Sequence, residues 1–410
     1  MVQNNGAMMA LKGGGPRKVT SATPPVSPCP MNDSITIAPV TTKQERRAFV
    51  DFAWAVYRDD RAWVPPLKTE VHALLDPKKN PWFGHGRAEM WVARRDGAIA
   101  GRISAQVDEL VQAHMQVGLG QWGMFEALDG DAAAVLIATA EQWLRGHGMT
   151  AAMGPISISI WDEPGLLIEG FDQPPMVMMG HHRPAYAKWI EAAGYAKAKD
   201  LLTYELDIAK EQPALIHRMV AAGENNPRVR IRMVDKANFD RDSAIILGLL
   251  NDAWSDNWGF VPLTDAEIAY AGKKLKPIIF EDLVRIAELD GEPVAFMLTI
   301  PDINEMTADL NGELFPFGFV KLLWRLRKPR VSRVRVPLMG VAKSLHGTRL
   351  AGQIAFMLIE YIRRACVEHY GVRQGEFGWV LEDNQGMMSI AELPGARINH
   401  RYRVYQKVLA

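Results

Sequence analysis

Residues 90–107 read Met-Trp-Val-Ala-Arg-Arg-Asp-Gly-Ala-Ile-Ala-Gly-Arg-Ile-Ser-Ala-Gln-Val, and residues 285–300 read Arg-Ile-Ala-Glu-Leu-Asp-Gly-Glu-Pro-Val-Ala-Phe-Met-Leu-Thr-Ile. In each, two strand-like runs meet at an Asp-Gly pair. That pair suits the two positive-φ positions of a tight hairpin turn. Hairpins are therefore predicted for Met90–Arg95 with Ala98–Val107 and for Arg285–Leu289 with Pro293–Ile300. Gly97 and Gly291 stand 194 residues apart, and the elements that follow repeat too. A long amphipathic helix is predicted near Ala132–Gly146, with Leu136, Ile137, Ala140, Trp143 and Leu144 on one face. Another is predicted near Ala351–His369, with Ile354, Met357, Leu358, Tyr361, Ile362 and Ala365 on one face. Each half then offers a strand, a shorter helix, a glycine (Gly194, Gly395) and a closing strand, Leu202–Leu206 or Tyr402–Lys407. Spacing differences place extra chain around 154–180 in the first half and around 302–332 in the second.

Composition narrows the function. The chain has 410 residues, with 47 basic and 47 acidic side chains, which argues against a nucleic-acid binder. Two cysteines exclude a disulfide scaffold and a Cys-built zinc site. His181-His182 has no third ligand at useful spacing, so no metal is expected. No 18-residue apolar run predicts a membrane span. Residues 1–30 hold five prolines, four glycines and no acidic residue, and read as a disordered extension. Two domains are expected, 31–208 and 209–410, in a reduced, cytoplasmic protein.

This element order resembles the GNAT acyltransferase superfamily, twice over, across about residues 34–410. The implied fold is α/β: two tandem GNAT-like domains, each a mixed, mostly antiparallel twisted sheet flanked by helices. Val334–Val341 resembles the superfamily's fourth strand, Ser344–Ala351 its phosphate-cradling loop, and Glu382-Asp383-Asn384 with Gly395 its fifth-strand end and following helix. Val64-Pro65-Pro66-Leu67, Asp76-Pro77-Lys78-Lys79-Asn80-Pro81, Gly154-Pro155-Ile156-Ser157 and Gly170-Phe171-Asp172-Gln173-Pro174-Pro175 resemble a bacterial family of tandem GNAT-like proteins, to which bacterial ceramide synthases are related.

The resemblance implies transfer of an acyl group from acyl-coenzyme A, or acyl carrier protein, to an amine, with no permanently bound cofactor. It implies that Met339, Gly340 and Val341 receive the thioester, and that Lys343, His346, Gly347, Thr348, Arg349 and Ala351 hold the diphosphate at a helix N-terminus. His346-Gly347-Thr348-Arg349-Leu350-Ala351 departs from the usual pattern, since Arg349 stands where a glycine belongs. In the first half the equivalent loop carries Asp129 and Asp131, which would repel a diphosphate and cap the helix. The acyl-CoA site is therefore expected in the second half. Glu382 is the expected base, with Asp383 and Asn384 beside it. Glu376 starts the same strand and shares the parity of Glu382. Ala391 occupies the place of the usual acid, leaving Tyr402 or solvent. Within the first insertion, Trp161, Asp162 and Glu163 are candidates to bind the acceptor. Trp254 and Trp258, four apart, are expected in the core.

Leu314–Val336 carries seven basic residues, no acidic one, three Phe and one Trp. That combination suits the surface of an anionic membrane, hence a peripheral position at the inner membrane with access to a lipid amine or a long acyl chain. The resemblance implies a long-chain, sphingoid-type amine as acceptor. A small-molecule amine acetyltransferase and a non-catalytic GNAT-like binding module are the alternatives.

Overall fold

A computed structural model describes residues 35–327 and 329–410; the expected extension 1–30 lies outside the described residues. The first half runs β1 (Thr36–Pro39), α1 (Lys43–Val56), α2 (Lys68–Leu74), β2 (Gly86–Arg95), β3 (Ala98–Asp108), α3 (Glu109–His114), β4 (Leu119–Ala127), α4 (Gly130–Gly146), β5 (Ala151–Gly154), β6 (Ile156–Ser157), β7 (Glu163–Pro164), β8 (Leu166–Glu169), α5 (Ala185–Ala192) and β9 (Ala196–Asp207). The second runs α6 (Ala214–Glu224), β10 (Val229–Met233), α7 (Phe239–Trp254), α8 (Asp265–Leu275), β11 (Val284–Leu289), β12 (Glu292–Pro301), α9 (Ile303–Thr307), α10 (Gly318–Arg327), β13 (Arg333–Val341), α11 (Arg349–Tyr370), β14 (Gln374–Leu381), α12 (Gln385–Glu392) and β15 (Arg397–Val408).

Both hairpins form as their turns require. Asp96 and Gly97 have φ of 51° and 82°, and Asp290 and Gly291 have 54° and 89°. α11 begins where Thr348 caps it by accepting a hydrogen bond from the Ala351 N–H, and ends at Gly371, whose φ is 68°. Its apolar stripe, Ile354, Leu358, Ile362 and Ala365, is buried against β12 and β13.

All but two strands join one sheet, in the order β1-β2-β3-β4-β5-β15-β9-β14-β13-β12-β11-β10, with β8 also on β15. β4 with β5 and β13 with β14 are parallel, and the other pairs are antiparallel. The closing strands are exchanged. β15, at the end of the chain, pairs with β5 of the first half through Tyr405–Val408. β9, which ends the first half, pairs with β14 of the second. β15 and β9 also pair with each other, so the sheet is continuous across residue 208.

Candidate active site

The two parallel pairs share a geometry and differ in what fills it. β13 and β14 pair only from Arg333–Val336 to Gln374–Phe377; beyond that point the strands diverge. β4 and β5 pair from Leu119–Gln121 to Ala151–Met153 and diverge likewise. In the first half the gap is occupied. Gln106 Nε2 donates to the Ile156 carbonyl at 2.6 Å, and the Met124 N–H donates to Ser157 Oγ at 3.2 Å. Residue 123 must be glycine, because a Cβ there would lie 2.0 Å from the Ile156 oxygen. Beside this segment the Tyr57 and Tyr186 hydroxyls donate to buried Glu126 Oε2 at 2.8 and 2.7 Å. The N-terminus of α4 is also taken: Asp129 accepts from the N–H groups of Asp131 and Ala132 and pairs with Arg95.

In the second half the gap is open. A cavity of about 180 Å³ runs through it. One wall comes from α11 and α12, with Ile359, Ile362, Cys366, Met387 and Ile390. The opposite wall comes from Ile160, Trp161, Trp254, Trp258, Phe260 and Trp379. The lining is almost wholly apolar, with Glu376, Thr299, Arg363, Gln212, Asn257 and Asn384 as its polar members.

Register decides which backbone groups face this gap. The Ala342 N–H donates to the Val294 carbonyl at 2.7 Å, so residues 342 and 340 bond toward β12. Met339 and Val341 therefore turn their N–H and C=O groups the other way. Trp254 Nε1 donates to the Met339 carbonyl at 3.0 Å, and His346 Nε2 to the Val341 carbonyl at 2.7 Å. Gly340 lets α7 approach this strand, since a Cβ there would meet Ala253 Cβ at 3.1 Å and the Phe296 ring at 2.9 Å.

The loop before α11 has three basic residues in different states. Lys343 pairs with Asp256 at 2.6 Å, and its N–H donates to Asp252. His346 is held by Val341. Arg349 is exposed and has no side-chain partner among the described residues. Gly347 turns the loop with φ of 73°, and no acidic residue stands in the first turn of α11. The helix N-terminus thus presents a positive field with no carboxylate over it.

The acidic residues at the end of β14 face away from the cavity. Glu382 accepts from Lys197 Nζ at 2.6 Å and from the Asp200 N–H at 3.1 Å. Asp383 pairs with Lys199 at 2.7 Å, a hydrogen bond that holds its carboxyl below the usual range. Asn384 lines the cavity while capping α12 through the Met387 N–H. Tyr402 is buried, its hydroxyl donates to the Gly180 carbonyl at 3.0 Å, and burial pushes that hydroxyl well above its ordinary range. It does not line the cavity.

Among the described acidic residues, the one in the cavity lining is Glu376. It sits at the last paired rungs, opposite Arg335, where the strands part. Phe377 packs on Met387 and Met388 of α12, so its neighbour Glu376 points to the opposite face. Glu376 Oε2 accepts from Asn399 Nδ2 at 2.6 Å. Oε1 is buried with no hydrogen-bond partner, at 3.9 Å from Arg335 Nε. Burial at the base of the strand pair was not readable from the sequence, where Glu376 and Glu382 differ only in position along one face.

Of the first-half candidates, Trp161 lines the cavity, stacked on Trp254 with ring centres 6.0 Å apart and its Nε1 donating to Val261. Trp254 and Trp258, expected in the core, stand on the cavity wall because α7 stops at Trp254 and the chain turns across the gap. Asp162 accepts from Ser159 Oγ at 3.0 Å, and Glu163 approaches His182 at 3.8 Å. Burial pushes the Asp162 carboxyl up to about 6 and that of Glu163 up to about 7. A carboxyl whose pKa rises on folding stabilises the fold only while protonated. That contribution is lost as pH climbs from 3.8 through about 6 for Asp162. Asp162→Asn, which keeps an acceptor for Ser159, is expected to melt above the parent at pH 8 and with it at pH 4. Thermal melts across that range check this.

A twisted, mostly antiparallel sheet whose parallel central strands part beside an open helix N-terminus defines the GNAT class of N-acyltransferases. The sequence is 41% identical over 381 residues to the bacterial ceramide synthase of Caulobacter vibrioides (strain NA1000 / CB15N), covering 92% of this chain and 98% of that one. It is 41% identical over 368 residues to protein YghO of Escherichia coli (strain K12), covering 89% and 93%. The chain belongs to this family of tandem GNAT N-acyltransferases. No protein-family model matches it. A tandem GNAT protein from the clavulanic acid biosynthesis pathway superposes with a TM-score of 0.54 at 13% identity, over 92% of this chain and 99% of that one, which shows the shared fold.

Proposed function

We propose that this N-acyltransferase moves a long-chain acyl group from coenzyme A to the amine of a long-chain, sphingoid-type base, and that the second half holds the thioester. The observation that carries this reading is the apolar cavity through the parted strands β13 and β14, with apolar walls on both faces. The name of the Caulobacter relative supports the acceptor class.

The diphosphate meets the N-terminus of α11 and Arg349. The thioester lies along β13, where the N–H groups of Met339 and Val341 face its carbonyl and stabilise the oxyanion. The acyl tail continues beneath α11 from Ile359 to Cys366, about 10 Å at 1.5 Å per residue. The acceptor enters between Trp161, Trp254 and Trp258. Its neutral nitrogen attacks the carbonyl carbon, and Glu376 Oε1 takes the proton as the C–N bond forms. The C–S bond then breaks, and coenzyme A leaves as a thiolate that solvent protonates.

Calorimetric titration with coenzyme A and palmitoyl-CoA tests the donor half. Both are expected to bind, palmitoyl-CoA the tighter. Arg349→Ala is expected to weaken both by roughly 10- to 100-fold, the loss of one charge-assisted contact. Binding of neither by the parent protein would end the reading. Turnover of palmitoyl-CoA with a sphingoid base, against a short soluble amine, tests the acceptor half.

A further inference from the structure

The second insertion builds a surface that the acyl-transfer chemistry does not use. Phe315, Phe317, Phe319, Val320, Leu323 and Trp324 are all exposed, Phe317 at 78% and Trp324 at 73%. They cover α10 and the turn leading into it. The inner face of α10 is anchored. Leu322 and Leu326 pack on the cluster that contains Ile303, Met306 and Val331. Arg325 and Lys321 are both tied to Asp309, and Arg325 also donates to the Met306 carbonyl. The helix is therefore held with apolar side chains outward as well as inward, against the usual arrangement of a surface helix.

Charge beside the patch has one sign. Glu313 is paired with Lys68 and Asp309 with Lys321 and Arg325. Arg327 and Arg330 are exposed and have no partner among the described residues. Aromatic rings projecting from an anchored helix, bordered by unpaired guanidinium groups, suit a surface that is apolar inside and negative at its face. A soluble protein partner would satisfy the rings without needing this cationic border. The same cluster that seats α10 also contains Ile208, Val334, Met339 and Cys366, which line the cavity, so the patch and the cavity share one apolar body.

We propose that residues 315–327, with Arg330, dock the enzyme on an anionic lipid bilayer, with Phe317 and Trp324 in the acyl–headgroup boundary and Arg327 and Arg330 on the phosphates. The whole chain is mixed with phosphatidylcholine vesicles, with and without phosphatidylglycerol, and sedimented. The expected result is retention on the phosphatidylglycerol vesicles that weakens with salt. Phe317→Ser with Trp324→Ser, and separately Arg327→Glu with Arg330→Glu, are each expected to lower it by on the order of tenfold or more. Both pairs should keep the parent's melting temperature and its turnover of a short, soluble acyl-CoA, readouts independent of docking. A parent protein that stays in solution, or pellets as well in both variants, overturns the proposal. So does a parent dimer that the Phe317, Trp324 variant dissolves, since a second copy would then cover the patch.

Discussion

Glu376→Gln is expected to lower kcat by roughly 10²- to 10⁴-fold, the usual worth of a positioned general base, while leaving palmitoyl-CoA affinity within a few-fold of the parent. Glu376 is the acidic residue in the cavity lining, and its Oε1 is buried without a hydrogen-bond partner. Glutamine keeps the acceptor for Asn399 at Oε2 but cannot take a proton. The exchange also removes a counter-charge from buried Arg335, whose terminal nitrogens donate to the Val177 and Gly378 carbonyls at 2.7 and 3.0 Å. Some loss of stability is therefore expected, and melting temperature and donor binding must be measured beside kcat. Glu376→Asp separates the roles: it restores the charge but withdraws the oxygen, so stability should return further than turnover. Glu382→Gln is expected to change kcat by no more than a few-fold, because its carboxylate is spent on Lys197 and the Asp200 N–H. If Glu382→Gln is the crippled variant and Glu376→Gln turns over normally, the proton leaves by another route.

The contrast between these two glutamates shows where sequence reading reaches and stops. Asp96-Gly97 and Asp290-Gly291 declare their hairpins because the turn's backbone demands those residues. The stripes of α4 and α11 declare their helices because burial repeats every 3.6 residues. Asp129 could be foreseen as a helix cap for the same local reason. The exchange of β9 and β15 leaves no local mark, since a strand pairs as readily with one neighbour as another of the same pattern. Whether a gap is open depends on contacts between distant segments, such as Ile156 passing over Gly123. Strict alternation would put Glu376 and Glu382 on one face, but β14 shifts register between Phe377 and Val380, so Glu376 lies at the last paired rungs while Glu382 turns to Lys197. Trp254 and Trp258 mislead for a related reason: spacing of four suggests a helix face, and the helix ends at the first of them.

Cys366→Trp is expected to reverse the order of acyl donors. Cys366 is buried in the second half of α11, on the cavity wall with Ile362, Val334 and Ile208, past the level at which β13 and β14 part. If the acyl tail lies there, an indole in place of the thiol blocks the end of its path and leaves the thioester position free. Each methylene denied a place in an apolar pocket is worth about 1–3 kcal/mol, so kcat/KM for palmitoyl-CoA should fall by on the order of 100-fold or more, with hexanoyl-CoA within several-fold of the parent. Overpacking a tight core costs roughly 1–3 kcal/mol, so the variant should also melt lower, but that cost bears equally on both donors and cannot invert their ratio. The thiol itself offers a second readout. Burial pushes it up to about 12, so it reacts slowly when free, and a Cys29→Ser background leaves it as the chain's one thiol. Palmitoyl-CoA should slow its alkylation further by occupying the slot, and coenzyme A alone should not. Equal losses for both donors in Cys366→Trp, with alkylation indifferent to palmitoyl-CoA, would place the acyl tail on the tryptophan side of the sheet and the acceptor's chain beneath α11.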